Sequence, residues 1–420
     1  MSLILWIGIV VFFVIAIRHL LPIPLKYWHI MFFGSLAYII TGSITFKEAV
    51  RAVDFDVLLS LFGMFSLGYA LEESRYLGHL FYKVFKKSKN VSLLVFQLVF
   101  VFGFASAFFM NDTIAVVGVP LIVLLNKNYG IDLKFLTLTL AFSVTTGSIL
   151  SPLGNPQNLL IALSPGFLNP FVEFFKFFIL PTILCLLVLY FYMRFLFREE
   201  FHSVPLTHSQ EPIKDKRLKR LSKISLIVFF SLIFIEVLDF FLNFGFRLRI
   251  SLIPIISVAP IYLFYPRRLK ILKGVDYDTL LFFIFMFIVT ETLTKDRVFT
   301  SIFSNSRINP LSHLTIVING IILSQIISNV PFTIVYLKVI RLLDPPLISL
   351  ITLAFASTIA GNLTVLGAAS NIIILQNLEK RVKRHVVNFF EFMKFGAPLT
   401  IIQVLIYFLC MGFYHLLKLV

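Results

Sequence analysis

The chain has 420 residues, 59% of them apolar, a mean hydropathy of +0.94 and only 14% charged side chains. A water-soluble protein of this length has no interior large enough for that much apolar surface, whereas a bilayer solvates it directly. A formal charge of +16 would suit a nucleic-acid binder, but the bases fall in short loops between apolar runs, which excludes nucleic acid as a partner and points to membrane topology.

Apolar runs follow one another near residues 3–17, 29–42, 55–71, 91–126, 135–163 and 171–197, then 224–243, 250–265, 279–293, 314–340, 346–375 and 395–417. A crossing takes about 20 residues, somewhat fewer where flanking side chains snorkel. The first run lacks a basic leader and a small-residue cleavage site, so it reads as a retained span. From Tyr76 to Lys89 apolar and basic residues alternate, predicting an amphipathic helix on the cytoplasmic surface. Cys185 and Cys410 both sit inside apolar runs and define no disulfide or metal framework.

The run 91–126 is too long for one straight crossing and is interrupted by Phe108-Phe109-Met110-Asn111-Asp112-Thr113. A carboxylate and an amide at that depth are costly unless they line a cavity or bind something. They predict the tip of a re-entrant hairpin whose second helix starts just after Thr113, aiming free N–H groups at a bound anion. Two full spans joined by a tight turn would give the same crossing parity; recurrence of the break in the other half favours the hairpin. There Ser328-Asn329-Val330-Pro331 interrupts 314–340, with Asn329 matching Asn111 but Val330 replacing Asp112. Asp112 is therefore the residue expected to carry a proton or cation.

Two further runs are unwound at their centres. One holds Ser151-Pro152-Leu153-Gly154-Asn155-Pro156-Gln157-Asn158, the other Gly361-Asn362-Leu363-Thr364-Val365-Leu366-Gly367-Ala368-Ala369-Ser370-Asn371. Gly and Pro free backbone carbonyls and amides, which in lipid need an ion, a substrate or a facing tip as partner. One such kink suggests a merely bent helix; two at corresponding places suggest a binding site.

The only hydrophilic stretch, 198–223, divides the chain into residues 1–197 and 224–420, and the two parts repeat. Val53-Asp54-Phe55-Asp56 matches Val275-Asp276-Tyr277-Asp278, Phe171-x-Glu173-Phe174 matches Phe389-x-Glu391-Phe392, and Thr139–Ile161 matches Thr352–Ile374. Loops assigned to the cytoplasm on this topology hold 25 Lys and Arg against 10 in the outside loops. Five crossings per copy then make the repeats inverted, with both termini outside and the linker cytoplasmic. The expected class is an all-α polytopic membrane protein of two inverted five-crossing repeats, each with a re-entrant hairpin and a broken helix.

At these residues the chain resembles the ion transporter superfamily that includes the arsenite and sodium–proton permeases, the citrate-transporter-like permeases and the divalent-anion/sodium symporters. Asn111-Asp112, the 154–158 motif and Gly361-Asn362-Leu363-Thr364 with Gly367 and Asn371 carry the resemblance, over nearly the whole chain. It implies a homodimer in the cell membrane, elevator-like movement, and cation sites between each tip and its broken helix. Carried over residue by residue, those sites are Asn111, Thr113, Gly154 and Asn155, and Ser328, Asn329, Gly361, Asn362, Thr364 and Gly367; Ser151, Asn158, Ser370 and Asn371 complete the candidate set. The tips depart from the paired Ser-Asn-Thr of sodium symporters. The expected activity is secondary transport of a small inorganic oxyanion, arsenite-like species or carboxylate coupled to H⁺ or Na⁺, with sodium–proton antiport as the alternative. No metal-ligand histidine pair or phosphate motif suggests an enzyme, no cofactor beyond the coupling ion is expected, and the candidate site offers no intramembrane Arg as a carboxylate clamp.

Overall fold

A computed structural model describes residues 2–17, 25–86, 88–201, 215–245, 248–296 and 309–417. Those residues form helices and no strands. In the first half they are α1 (Leu3–Ile17), α2 (Tyr27–Ile40), α3 (Phe46–Ala52), α4 (Phe55–Glu73), α5 (Tyr76–Phe85), α6 (Val91–Phe109), α7 (Asn111–Tyr129), α8 (Leu133–Gly147), α9 (Pro156–Ala162) and α10 (Pro170–Leu196). The second half gives α11 (Lys216–Leu242), α12 (Leu252–Phe264), α13 (Arg268–Lys273), α14 (Tyr277–Thr294), α15 (His313–Ile327), α16 (Asn329–Arg341), α17 (Leu347–Ile359), α18 (Ala369–Val382) and α19 (Phe389–Leu416).

Short polar side chains start many of these helices by accepting bonds from the free N–H groups of the first turn. Asn90, Asn169, Ser312 and Asn388 do so at α6, α10, α15 and α19. Asp215 caps α11 inside the basic linker, so the helix begins at Lys216 rather than near residue 224; residues 202–214 of that linker, and 297–308 of the loop after α14, lie outside the described residues. The amphipathic helix expected over 76–89 is present but closes at Phe85, with Tyr76, Leu77, Phe81 and Phe85 turned inward.

Among the described residues seven helices are long and apolar enough to cross a membrane. The two long interrupted runs divide where the polar residues stand, at Met110 and at Ser328. The arms differ: α6 and α7 have 19 residues each, about 28 Å. In contrast α15 has 15 and α16 has 13, about 22 and 20 Å.

Packing between the halves is reciprocal. Helix α2 lies on α14 and α4 on α12; α7 lies on α18 and α16 on α9; α8 meets α17, and α10 meets α19. Small residues permit the tightest crossings: a Cβ on Gly147 would sit 2.0 Å from the Gly103 carbonyl oxygen, so α6 and α8 touch backbone to backbone. A Cβ on Gly63 would sit 2.7 Å from Pro254, where α4 crosses α12.

Candidate functional site

Each hairpin turns through a single residue. Met110 has φ 59° and ψ 141°, and Ser328, at the equivalent place, has φ 72° and ψ 158°. Positive φ strains any residue with a Cβ, and such strain persists only where the surroundings enforce it. Enforcement at the first tip is direct: the Asn111 N–H donates to the Gly154 carbonyl at 2.8 Å, latching the tip to the unwound segment after α8. That segment is folded tightly on itself, since a Cβ on Gly154 would lie 2.0 Å from the Ser148 carbonyl oxygen. No such backbone bond holds Ser328 or Asn329 among the described residues. Gln325 ties the second hairpin instead, donating to the Ala360 carbonyl at 2.9 Å and accepting from the Thr364 hydroxyl at 2.7 Å.

The second arm of the first hairpin starts at Asn111, three residues before the position the sequence suggested. Its anion-facing donors are partly consumed: Gly154 takes the Asn111 N–H, and the Asn111 side-chain oxygen accepts from the Asp112 N–H at 2.9 Å. Thr113 turns away from the break onto α4, where a Cβ on Gly68 would meet its hydroxyl at 2.5 Å. Asn111 also reaches the other half, donating weakly to Ser370 at 3.4 Å. One carboxylate oxygen of Asp112 is buried without a partner.

The two unwound segments are sewn by the same stitch. Asn158 donates to the carbonyls of Ser148 (3.0 Å) and Ser151 (3.2 Å). Asn371 donates to those of Gly361 (2.6 Å) and Thr364 (3.4 Å). These amides satisfy carbonyls that unwinding released. Ser151 serves the turn as well, accepting from the Leu153 N–H.

Beyond the stitch the segments differ. In the first, Asn155 donates to the hydroxyls of Ser148 and Thr358, both at 3.1 Å, and Thr358 in turn donates to the Asn158 oxygen at 3.2 Å. In the second, Ala368 stands where Asn155 would be, and the equivalent oxygens, Thr145 Oγ1 and Asn371 Oδ1, are buried with no partner. Asn362 donates to Thr146 (3.1 Å) and Gln403 (2.8 Å), leaving its own oxygen buried and unpartnered. All three oxygens flank Gly361: Asn362 follows it, Asn371 bonds its carbonyl, and the Thr145 methyl would lie 3.1 Å from a Cβ placed there.

Most sequence-predicted residues thus converge on the two breaks; Thr113 does not. Gln325, Gln403, Thr145, Thr146, Thr358 and Gln157 join them and were not among the candidates. Gln157 lies inside the first polar break, and the others are neutral polar residues within apolar runs, without a Gly or Pro beside them to mark a break except at Thr146. Glu391 of α19 forms an ion pair with Lys134 of α8.

The family model described as citrate transporter matches residues 9–347 of the chain. The chain belongs to the citrate transporter family, CitMHS. Curated relatives of this CitMHS member include a transporter called arsB of Dictyostelium discoideum, 23% identical over 89% of this chain and 85% of the relative. Another is the silicon efflux transporter LSI3 of Oryza sativa subsp. japonica, 24% identical over 88% of this chain and 89% of the relative. Among solved structures, the Alcanivorax borkumensis YdaH transporter, described as having an unusual topology, superposes with a TM-score of 0.60 at 14% identity, covering 99% of this chain and 98% of that one. At that identity the likeness concerns the fold. Together with the seven apolar helices, these findings make the CitMHS protein an integral membrane transporter.

Proposed function

We propose that this transporter carries a small anion, an inorganic oxyanion, an arsenite-like species or a carboxylate, by secondary active transport coupled to H⁺ or Na⁺. The observation that carries the coupling is the set of buried, unpartnered oxygens: Asp112 Oδ1 at the first tip, and Thr145 Oγ1, Asn362 Oδ1 and Asn371 Oδ1 around Gly361. Buried acceptors without donors are costly, and three neutral oxygens beside an unwound helix suit a weakly held Na⁺. In the first break the Asn155 amide occupies the equivalent position and donates to Ser148 and Thr358, and the buried unpartnered group there is the Gln157 amide, which carries its own donor. Asp112, Asn111, Asn329 and Ser370 then border the space where the anion binds. Reciprocal packing supports two copies related by a twofold axis, which five crossings per copy would make inverted. In this reading the chain is a homodimer of the cell membrane with the basic linker cytoplasmic, and one body of tips and breaks moves elevator-like against α2, α4, α12 and α14.

Sodium–proton antiport by the same fold is the second reading, favoured by the lone tip carboxylate of Asp112. Purified protein in vesicles loaded with a pH dye separates the two on addition of Na⁺, Li⁺, citrate, succinate, sulfate or arsenite singly. Proton flux triggered by Na⁺ or Li⁺ alone, and lost in Asp112→Asn, establishes the antiporter and overturns the anion reading. Flux that needs one of the anions names the substrate class.

A further inference from the structure

On the face that the loop charges place outside, a crevice of about 390 Å³ opens between α3 and α14 on one side and α16 on the other. Its walls carry four bases, Arg51, Lys295, Lys338 and Arg341, and three acids, Glu48, Asp54 and Glu291; its floor is apolar, with Leu160 and Ile334. Leu160 follows Asn158 by two residues and Ile334 follows Asn329 by five, so the floor adjoins both the first break and the second tip. Lys338 pairs with Glu291 of α14 at 2.6 Å and is the more buried partner, its side chain 22% exposed against 39%. Lys295 pairs with Glu48 at 2.8 Å, and Arg341 donates to the Ser164 hydroxyl at 2.5 Å. Among the described residues Arg51 has no ion partner.

We propose that this crevice is an anion-collecting vestibule in which Lys338 exchanges Glu291 for the transported anion, with Arg341 and Arg51 as flanking charges. The proposal rests on the anion reading above. Lys295 and Lys338 hold Glu48 and Glu291 in ion pairs, which leaves Arg51 and Arg341 against Asp54, and that surplus of one positive charge above low-dielectric walls attracts anions. Lys338 is the only one of the four bases committed to a carboxylate on a different wall of the crevice through a half-buried pair, and a single carboxylate or oxyanion presents the same chemistry as Glu291. Exchange therefore costs Lys338 no charge partner, whereas leaving it buried and unpaired would be expensive. Glu291 acts as a placeholder that makes entry selective, because a neutral solute cannot displace it from Lys338. The crevice lined by Pro120 in the first half, about 300 Å³ with Glu73, Arg75 and Arg381 on its walls, lacks this pair of bases, since Pro120 occupies the position of Lys338 and Val123 that of Arg341.

The test measures anion uptake into vesicles, with whichever anion the wild type carries, for Lys338→Gln, Lys338→Arg, Glu291→Gln and the double substitution Lys338→Gln with Glu291→Gln. Lys338→Gln should raise KM about tenfold with kcat changed far less, the mark of lost anion binding. Lys338→Arg should stay near wild type, and Glu291→Gln should lower KM by removing the competitor. The double variant leaves no unpaired buried charge, so it keeps the test decisive where Lys338→Gln fails to fold; its KM should be raised too. Wild-type KM in the double variant, beside measurable wild-type anion flux, overturns the vestibule and leaves the anion reading standing. No anion flux in the wild type, with Na⁺-driven proton flux instead, overturns both.

Discussion

The two hairpin-and-break units are built alike and finished differently. Both tips turn through one strained residue, and both breaks are stitched by an asparagine donating to released carbonyls. The first unit is then closed by its own amides: Asn111 latches Gly154, and Asn155 fills the space between Ser148 and Thr358. The second is left more open, its three oxygens without donors and, among the described residues, its hairpin tied to the break through Gln325. Charge divides the other way, with the acid Asp112 on the first hairpin and the bases Lys338 and Arg341 on the second. A duplicated frame has thus been finished unequally: the first unit keeps Asp112 Oδ1 and the Gln157 amide buried without partners, the second the oxygens of Asn362 and Asn371 facing an equally unpartnered Thr145.

Several substitutions would break or sharpen that contrast. The largest effect belongs to the helix crossings: Gly147→Ala drives a Cβ into the Gly103 backbone and should cost at least about 3 kcal/mol. Gly320→Ala, at the crossing of α15 and α17, meets the Ala356 side chain at 2.7 Å rather than backbone, and should cost less; yield of monodisperse protein and thermal unfolding in detergent rank the two. Next come the paired threonines. Thr358→Val orphans Asn155 and Asn158 and should destabilise by about 2 kcal/mol, whereas Thr145→Val removes a hydroxyl that has no partner and should be neutral or stabilising in Na⁺-free buffer. Equal losses from both would sink the idea that the second break is open. In the presence of Na⁺ the order of interest reverses, because Thr145→Val should lose much of any Na⁺-induced rise in melting temperature while Thr358→Val keeps it. The smallest effect is at the tips, where Met110→Gly and Ser328→Gly each relieve a positive φ and should shift stability by about 1 kcal/mol or less.

Much of this architecture was legible in the chain because lipid punishes polar groups. Asn111, Asp112, Asn329 and the two Gly-Asn segments stood out as polar islands at mid-run, and the structure places all of them at tips or breaks. Direction was less legible: Thr113 is a tip residue by position, yet rotation about α7 turns it onto Gly68. Neutral polar residues such as Thr146, Gln325 and Gln403 carry no pattern, since a Thr or Gln in an apolar helix is most often just a satisfied side chain. Lys338 and Arg341 were counted as loop charges for topology, but the helix from Asn329 runs through both, and that places them on a crevice wall.

Reciprocal packing also has a consequence for how the molecule is made. The faces of α2 and α4 are covered by α14 and α12, which come from the far side of the basic linker. Those faces stay bare while synthesis runs on for some two hundred residues, so the first half cannot reach its final packing before the second half is inserted. The foldable unit is the whole chain, and assembly is bound to be late. Two separately made halves would have to find each other in the bilayer to regain a core, and each would be a client for quality-control machinery until they did.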